Sequence, residues 1–62
     1  MHTAQASFID QMQKGAGNAR FWLDQVKQGF TPHLDGKDNT AAFVAFYEKQ
    51  LAIAEGILAA HA

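Results

Sequence analysis

The chain contains no cysteine, so neither a disulfide nor a thiolate metal site holds it together. It also lacks a basic run. Its five cationic residues, Lys14, Arg20, Lys27, Lys37 and Lys49, are scattered, and the net charge is −1. That pattern excludes the electrostatic footprint of a nucleic-acid binder. No stretch approaches the 18 apolar residues of a membrane span. The start, MHTAQASF, has no basic region followed by an apolar one, and does not read as a signal peptide. A soluble, cytoplasmic protein is the expectation.

Metal and catalytic patterns are missing as well. The three imidazoles, His2, His33 and His61, have no second His at helical spacing, as a metal site on a helix requires. The stretch Asp35-Gly36-Lys37-Asp38-Asn39 looks superficially like a calcium loop. Counting back from Gly36 starts that loop at Thr31 and ends it at Ala42, where a bidentate Glu is needed. Ser7, Thr31 and Thr40 have no His and acid at readable spacing, and read as cap or turn residues. Glu48 and Glu55 lie seven apart and read as a solvated edge. The expectation is a protein that is not an enzyme, with no cofactor and no metal.

What is present is a pair of apolar stripes in a chain that is 48% hydrophobic. The first takes in Phe8, Ile9, Met12, Ala16, Ala19, Trp22, Leu23, Val26 and Phe30, in i, i+3, i+4 groups. The second takes in Phe43, Val44, Phe46, Tyr47, Leu51, Ile53, Ala54, Ile57 and Leu58, about half of a helical wheel. The reading is all-α: a helical hairpin with a helix over about 4–29, a turn over 30–39 and a helix over about 40–60. The 62 residues form a single domain. The first helix begins near Thr3 or Ser7, both good caps. Gly29 and Pro32 stop it, and Asp35-Gly36 is a turn pair. Asn39 or Asp38 caps the second helix. Phe30 and Leu34 are expected to fold back as a lid over the open end of the helices.

Gly15-Ala16-Gly17-Asn18 is the ambiguous stretch. Two helix-interior glycines cost about 1 kcal/mol each against alanine. The apolar stripe nevertheless keeps its phase across them, since Ile9, Ala16 and Leu23 are seven apart. One continuous helix is favoured over a break that would give three helices. In the continuous case Gly15 with Ala19 allows a neighbour to approach closely.

Stripes this wide exceed what one antiparallel neighbour covers, and a chain this short has a marginal core of its own. Two hairpins pairing into a four-helix bundle, or one docking on a larger protein, satisfies both constraints. The expected interface is Phe8, Met12, Ala19, Trp22, Val26, Phe43, Phe46, Tyr47, Gln50, Ile53 and Ile57. Gln50 is a polar residue within the apolar arc: either a device setting register or oligomer state, or a side chain at the end of the buried zone that reaches water. Phe21, on the polar side of the first helix, is a candidate second contact. Two alternatives stand beside this interaction module. One is a binder of a small ligand or an apolar surface, with Lys49 near the boundary. The other is an accessory or regulatory subunit of an enzyme complex.

The plan of two helices joined by a turn is similar in architecture to a plasmid RNA-binding hairpin that dimerises into a four-helix bundle. Its motifs do not match and the basic face is missing, so no residue role carries over. The amphipathic pattern from Ala41 to Leu58 also resembles granule-coating phasins, and assigns no residue either.

Overall fold

The computed structural model describes residues 4–61, with side chains from Ser7 onward. Helix α1 runs Ala4–Lys27 and helix α2 runs Thr40–Ala60. They pack against each other as a hairpin. Between them two-residue strands β1, His33–Leu34, and β2, Lys37–Asp38, form an antiparallel ladder.

Gly15 to Asn18 lie inside α1, so the first helix is continuous. Phase continuity of the buried stripe outweighs the local cost of two glycines. Ser7 is inside the helix as well and does not cap it, while the other candidate cap, Thr3, lies outside the described residues along with His2.

The end of α1 is set by backbone geometry. Gly29 has φ +108°, a conformation that an L side chain resists. Its N–H bonds to the carbonyl of Val26 at 3.0 Å, and the N–H of Phe30 reaches that of Gln25 at 3.0 Å. This crossed pair is a Schellman motif, and it satisfies carbonyls that the helix leaves open. The chain then turns through buried Pro32 into the ladder, where Asp35 (φ 52°) and Gly36 (φ 77°) make a tight two-residue turn. Two successive positive φ values are the signature of a type I′ hairpin, whose twist matches that of the strands. The ladder pairs His33 with Asp38 and Leu34 with Lys37, and the N–H of Asn39 extends it to the carbonyl of Pro32 at 2.8 Å.

The start of α2 divides its cap between two residues. Asn39 occupies the N-cap position, and its carbonyl accepts from the N–H of Phe43 at 2.9 Å, but its side chain makes no capping bond. Asp38 supplies the side chain instead: its Oδ1 accepts the Thr40 N–H at 2.8 Å. The neighbouring Thr40 side chain, the Thr40 N–H bond and, more weakly, the His33 ring hold the Asp38 carboxyl below its ordinary value of 3.8 against a small desolvation effect. Of the two Thr40 groups only the N–H has hydrogen-bond geometry; the buried Thr40 Oγ1 has no partner. The His33 Nδ1–H donates to the Thr31 carbonyl at 2.8 Å, which holds the ring against the loop.

Between the helices the contact is made by small residues. Ala16, Ala19 and Ala54 are 0%, 1% and 5% exposed, and no large side chain is fully buried among the described residues. The larger apolar residues gather at the loop end and along the sides. There six of the seven aromatic rings form a chain of contacts from Phe21 to Phe46. Phe30 belongs to it, 5.7 Å from Trp22 and 5.8 Å from Phe43. Leu34 does not: it is 62% exposed, so the expected lid reduces to Phe30. Leu34 lies in the β1–β2 ladder, paired with Lys37, and both residues are exposed.

Two predictions separate the backbone roles. Gly29→Ala should destabilise the chain by about 1–2 kcal/mol through its forced positive φ, whereas Gly17→Ala, in a regular helix with open space around it, should stabilise by up to about 1 kcal/mol. Urea unfolding of both variants, monitored by circular dichroism, checks the opposite signs. Because the folded-state pKa of Asp38 is depressed, its stabilisation is complete above pH 3.8 and is lost as pH falls through the lower folded value. Thermal melts from pH 7 to pH 2 should show that acid-sensitive component in the wild type and not in Asp38→Ala.

Candidate interaction surface

The hairpin is a rod. Its extents are 46 × 19 × 17 Å and its radius of gyration is 14.2 Å, against about 10.6 Å for a compact chain of this length. It exposes 4721 Å², where a compact 6.8 kDa protein exposes about 3,950 Å². Large apolar side chains are among what it exposes: Phe8, Phe46 and Ile53 are 41%, 56% and 48% exposed.

The two long sides of the rod differ. Helices turn 100° per residue, so residues on either side of the Ala16 and Ala54 contact line emerge on opposite sides of the pair. One side carries Arg20 and Asp24 from α1 with Glu48 and Glu55 from α2. Arg20 Nη2 bonds to Glu55 Oε2 at 3.2 Å and ties the helices together there. Further round α1, Lys14 Nζ pairs with Asp10 Oδ2 at 3.0 Å, and Gln28 Nε2 donates to Asp24 Oδ2 at 2.8 Å. The expectation of a merely solvated edge at Glu55 therefore misses an interhelical bond. No local spacing could reveal it, since the partners are 35 residues apart.

On the other side lies a groove of about 270 Å³, lined by Met12, Gly15 and Asn18 of α1 and by Phe46, Tyr47, Gln50, Ile53 and Ala54 of α2. No charged side chain lines it. Tyr47 and Met12 are half-buried, and Phe46 and Gln50 are exposed. Phe46 stands edge-on to Tyr47, with centroids 5.1 Å apart.

The interface residues expected from sequence divide into four sets. Met12, Phe46, Tyr47, Gln50 and Ile53 meet in the groove. Trp22 and Phe43 belong to the aromatic chain at the loop end, 6.0 Å apart, with half-buried Val26 one turn further along α1 than Trp22. Ala19 is consumed by the contact between the two helices. Phe8 is exposed and Ile57 half-buried, and neither lines the groove. Gln50, placed by its wheel position within the apolar arc, is solvent-exposed at the groove edge. Phe21 is 53% exposed on the far side of α1, its ring edge-on to Trp22 at 5.1 Å. Gly15 and Asn18 also line the groove though the sequence-based interface omits them. Their signal is the i, i+3, i+6 row Met12, Gly15, Asn18, in which two small or polar members hide the continuity.

Among the described residues, no group of three or more His, Asp or Glu side chains is placed to hold a metal ion. Nor is any described helix long and apolar enough to cross a membrane. No family model matches the chain, and no curated protein or solved structure matches it.

The Arg20–Glu55 pair is more than half exposed on both sides. A double-mutant cycle with Arg20→Ala and Glu55→Ala should therefore give a coupling of about 0.2–1 kcal/mol, falling with added salt.

Proposed function

We propose that this chain is a non-enzymatic helical interaction module, whose uncharged groove side completes its core against another protein surface. The observation that carries this reading is that, among the described residues, the helices bury only alanines fully, with large apolar side chains left half-exposed beside them. Alanines bury little apolar surface, and burial is what offsets the entropy of ordering a chain. The large side chains that could contribute most, Phe46 and Ile53, gain only half of their burial within the hairpin. A covering protein surface supplies the rest. Apolar surface rimmed by polar groups, here Asn18 and Gln50, is the usual makeup of such a contact.

An anionic membrane is a poorer fit, because no Lys or Arg lines the groove to meet lipid headgroups. The absence of charge at the groove also favours a protein surface that is itself apolar, since a charged partner group would lose its hydration there without a counter-charge.

Melting the isolated chain at high dilution tests the reading. A broad, low-temperature transition is expected, destabilised by only about 1 kcal/mol in Phe46→Asp or Ile53→Asp, since each side chain is only half buried in the lone hairpin. The same substitutions should remove any rise in melting temperature that a covering surface confers. A sharp, high-temperature transition of the dilute wild type would show that the hairpin needs no such surface.

A further inference from the structure

We infer that the surface covering the groove is a second copy of this chain, with a side chain of that copy seated over Gly15. This rests on reading the groove side as a docking surface, and it adds the partner and the point of closest approach.

The first observation is Gly15 itself. It lies in the regular interior of α1, is exposed and lines the groove. A Cβ built there would meet nothing within 4 Å. Neither a positive φ nor a neighbour in the hairpin requires glycine, although glycine costs about 1 kcal/mol of helix stability against alanine. Gly17 is equally open but does not line the groove; at Gly15 the missing side chain leaves a gap in the α1 side of the groove, open to a group from outside.

The second is self-complementarity. Two identical chains pairing about a two-fold axis use one patch on both, so the patch must hold both a recess and something to fill it. This one does: the recess at Gly15 lies opposite the protruding Phe46 and Ile53 of α2.

Area and charge agree. One long side of a rod 46 Å by 17–19 Å offers a footprint of roughly 800 Å², the amount each partner gives to a stable interface. The groove itself is uncharged, and Lys49, one turn from both Phe46 and Ile53 on α2, is exposed outside its lining with a side chain long enough to reach solvent. The charged sides, with the Arg20–Glu55 pairs, would then face solvent on both flanks of a four-helix arrangement.

The test is a size series at Gly15 with a matched control. Wild type, Gly15→Ala, Gly15→Leu and Gly17→Leu are compared by sedimentation equilibrium and circular dichroism over a wide concentration range. Both leucine variants raise helix propensity and apolar content equally, so neither is expected to harm the fold. A wild-type dimer is expected, with a dissociation constant that rises with side-chain size at 15, at least tenfold for Gly15→Leu. Gly17→Leu should associate no more weakly than wild type. Equal or tighter association of Gly15→Leu would overturn the inference and leave the docking reading intact, with the contact elsewhere. A wild type that stays monomeric at every concentration, or forms particles of no fixed mass, would also overturn it. The dilute melt then decides separately whether the hairpin needs a different covering surface.

Discussion

Everything in this structure follows from the close meeting of two helices through alanine. Ala16, Ala19 and Ala54 are the buried residues of the contact, while Leu23, Leu51 and Leu58 on the same faces are only half-buried. Close approach gains dispersion contacts along the backbones but little apolar burial per residue. Most of the aromatic residues gather at the loop end, where rings meet edge to face, and others line a groove along one flank. A hairpin with a leucine seam would have a larger core and less exposed apolar surface. The shape of the surface is thus a consequence of what occupies the centre.

The connection is a self-contained device that fixes how α2 returns. A Schellman motif at Gly29, a type I′ turn at Asp35-Gly36 and the Asp38 bond to the Thr40 N–H each satisfy local backbone groups. None needs the helix contact in order to form. Their joint effect is to set the rotation at which α2 starts, and hence which of its residues meet Ala16. Had α2 begun one residue later, its wheel would turn by 100°, and Glu55 would no longer lie beside Arg20. Local turn chemistry in this way determines a side-chain pairing between residues 35 apart.

The parts of the fold legible in the sequence are those set by local or periodic signals. The helical hairpin follows from two stripes of period 3.6, and the end of α1 from Gly29 and Pro32. Continuity through Gly15 and Gly17 was legible because Ile9, Ala16 and Leu23 keep one phase. What the wheel could not show is how the arc of α2 divides between the partner helix and solvent. Phe46 and Tyr47 are adjacent in the arc, yet one is exposed and the other half-buried. That division depends on the phase set by the turn, and the two-residue strands carry no period to read. Gln50 illustrates the same limit: a polar residue within an apolar arc is buried or exposed according to a rotation that the sequence does not state. Ala54 and Ala16 were visible as stripe members, but their small size hid that they, and not the aromatics, are the centre.

The asymmetry of the rod gives its surface chemistry a direction. Covering the flank that carries Arg20, Asp24, Glu48 and Glu55 would strip water from several charges, and a single exposed ion pair does not repay that cost. Covering the groove flank strips water from the apolar Phe46 and Ile53, which favours association, and leaves Asn18 and Gln50 at the margin with access to solvent or a partner's amide. A protein surface presented with both flanks therefore has one favourable way to dock. The interhelical ion pair contributes little to stability, yet it marks the flank that must stay wet. Specificity of docking arises from that exclusion as much as from the attraction of the groove.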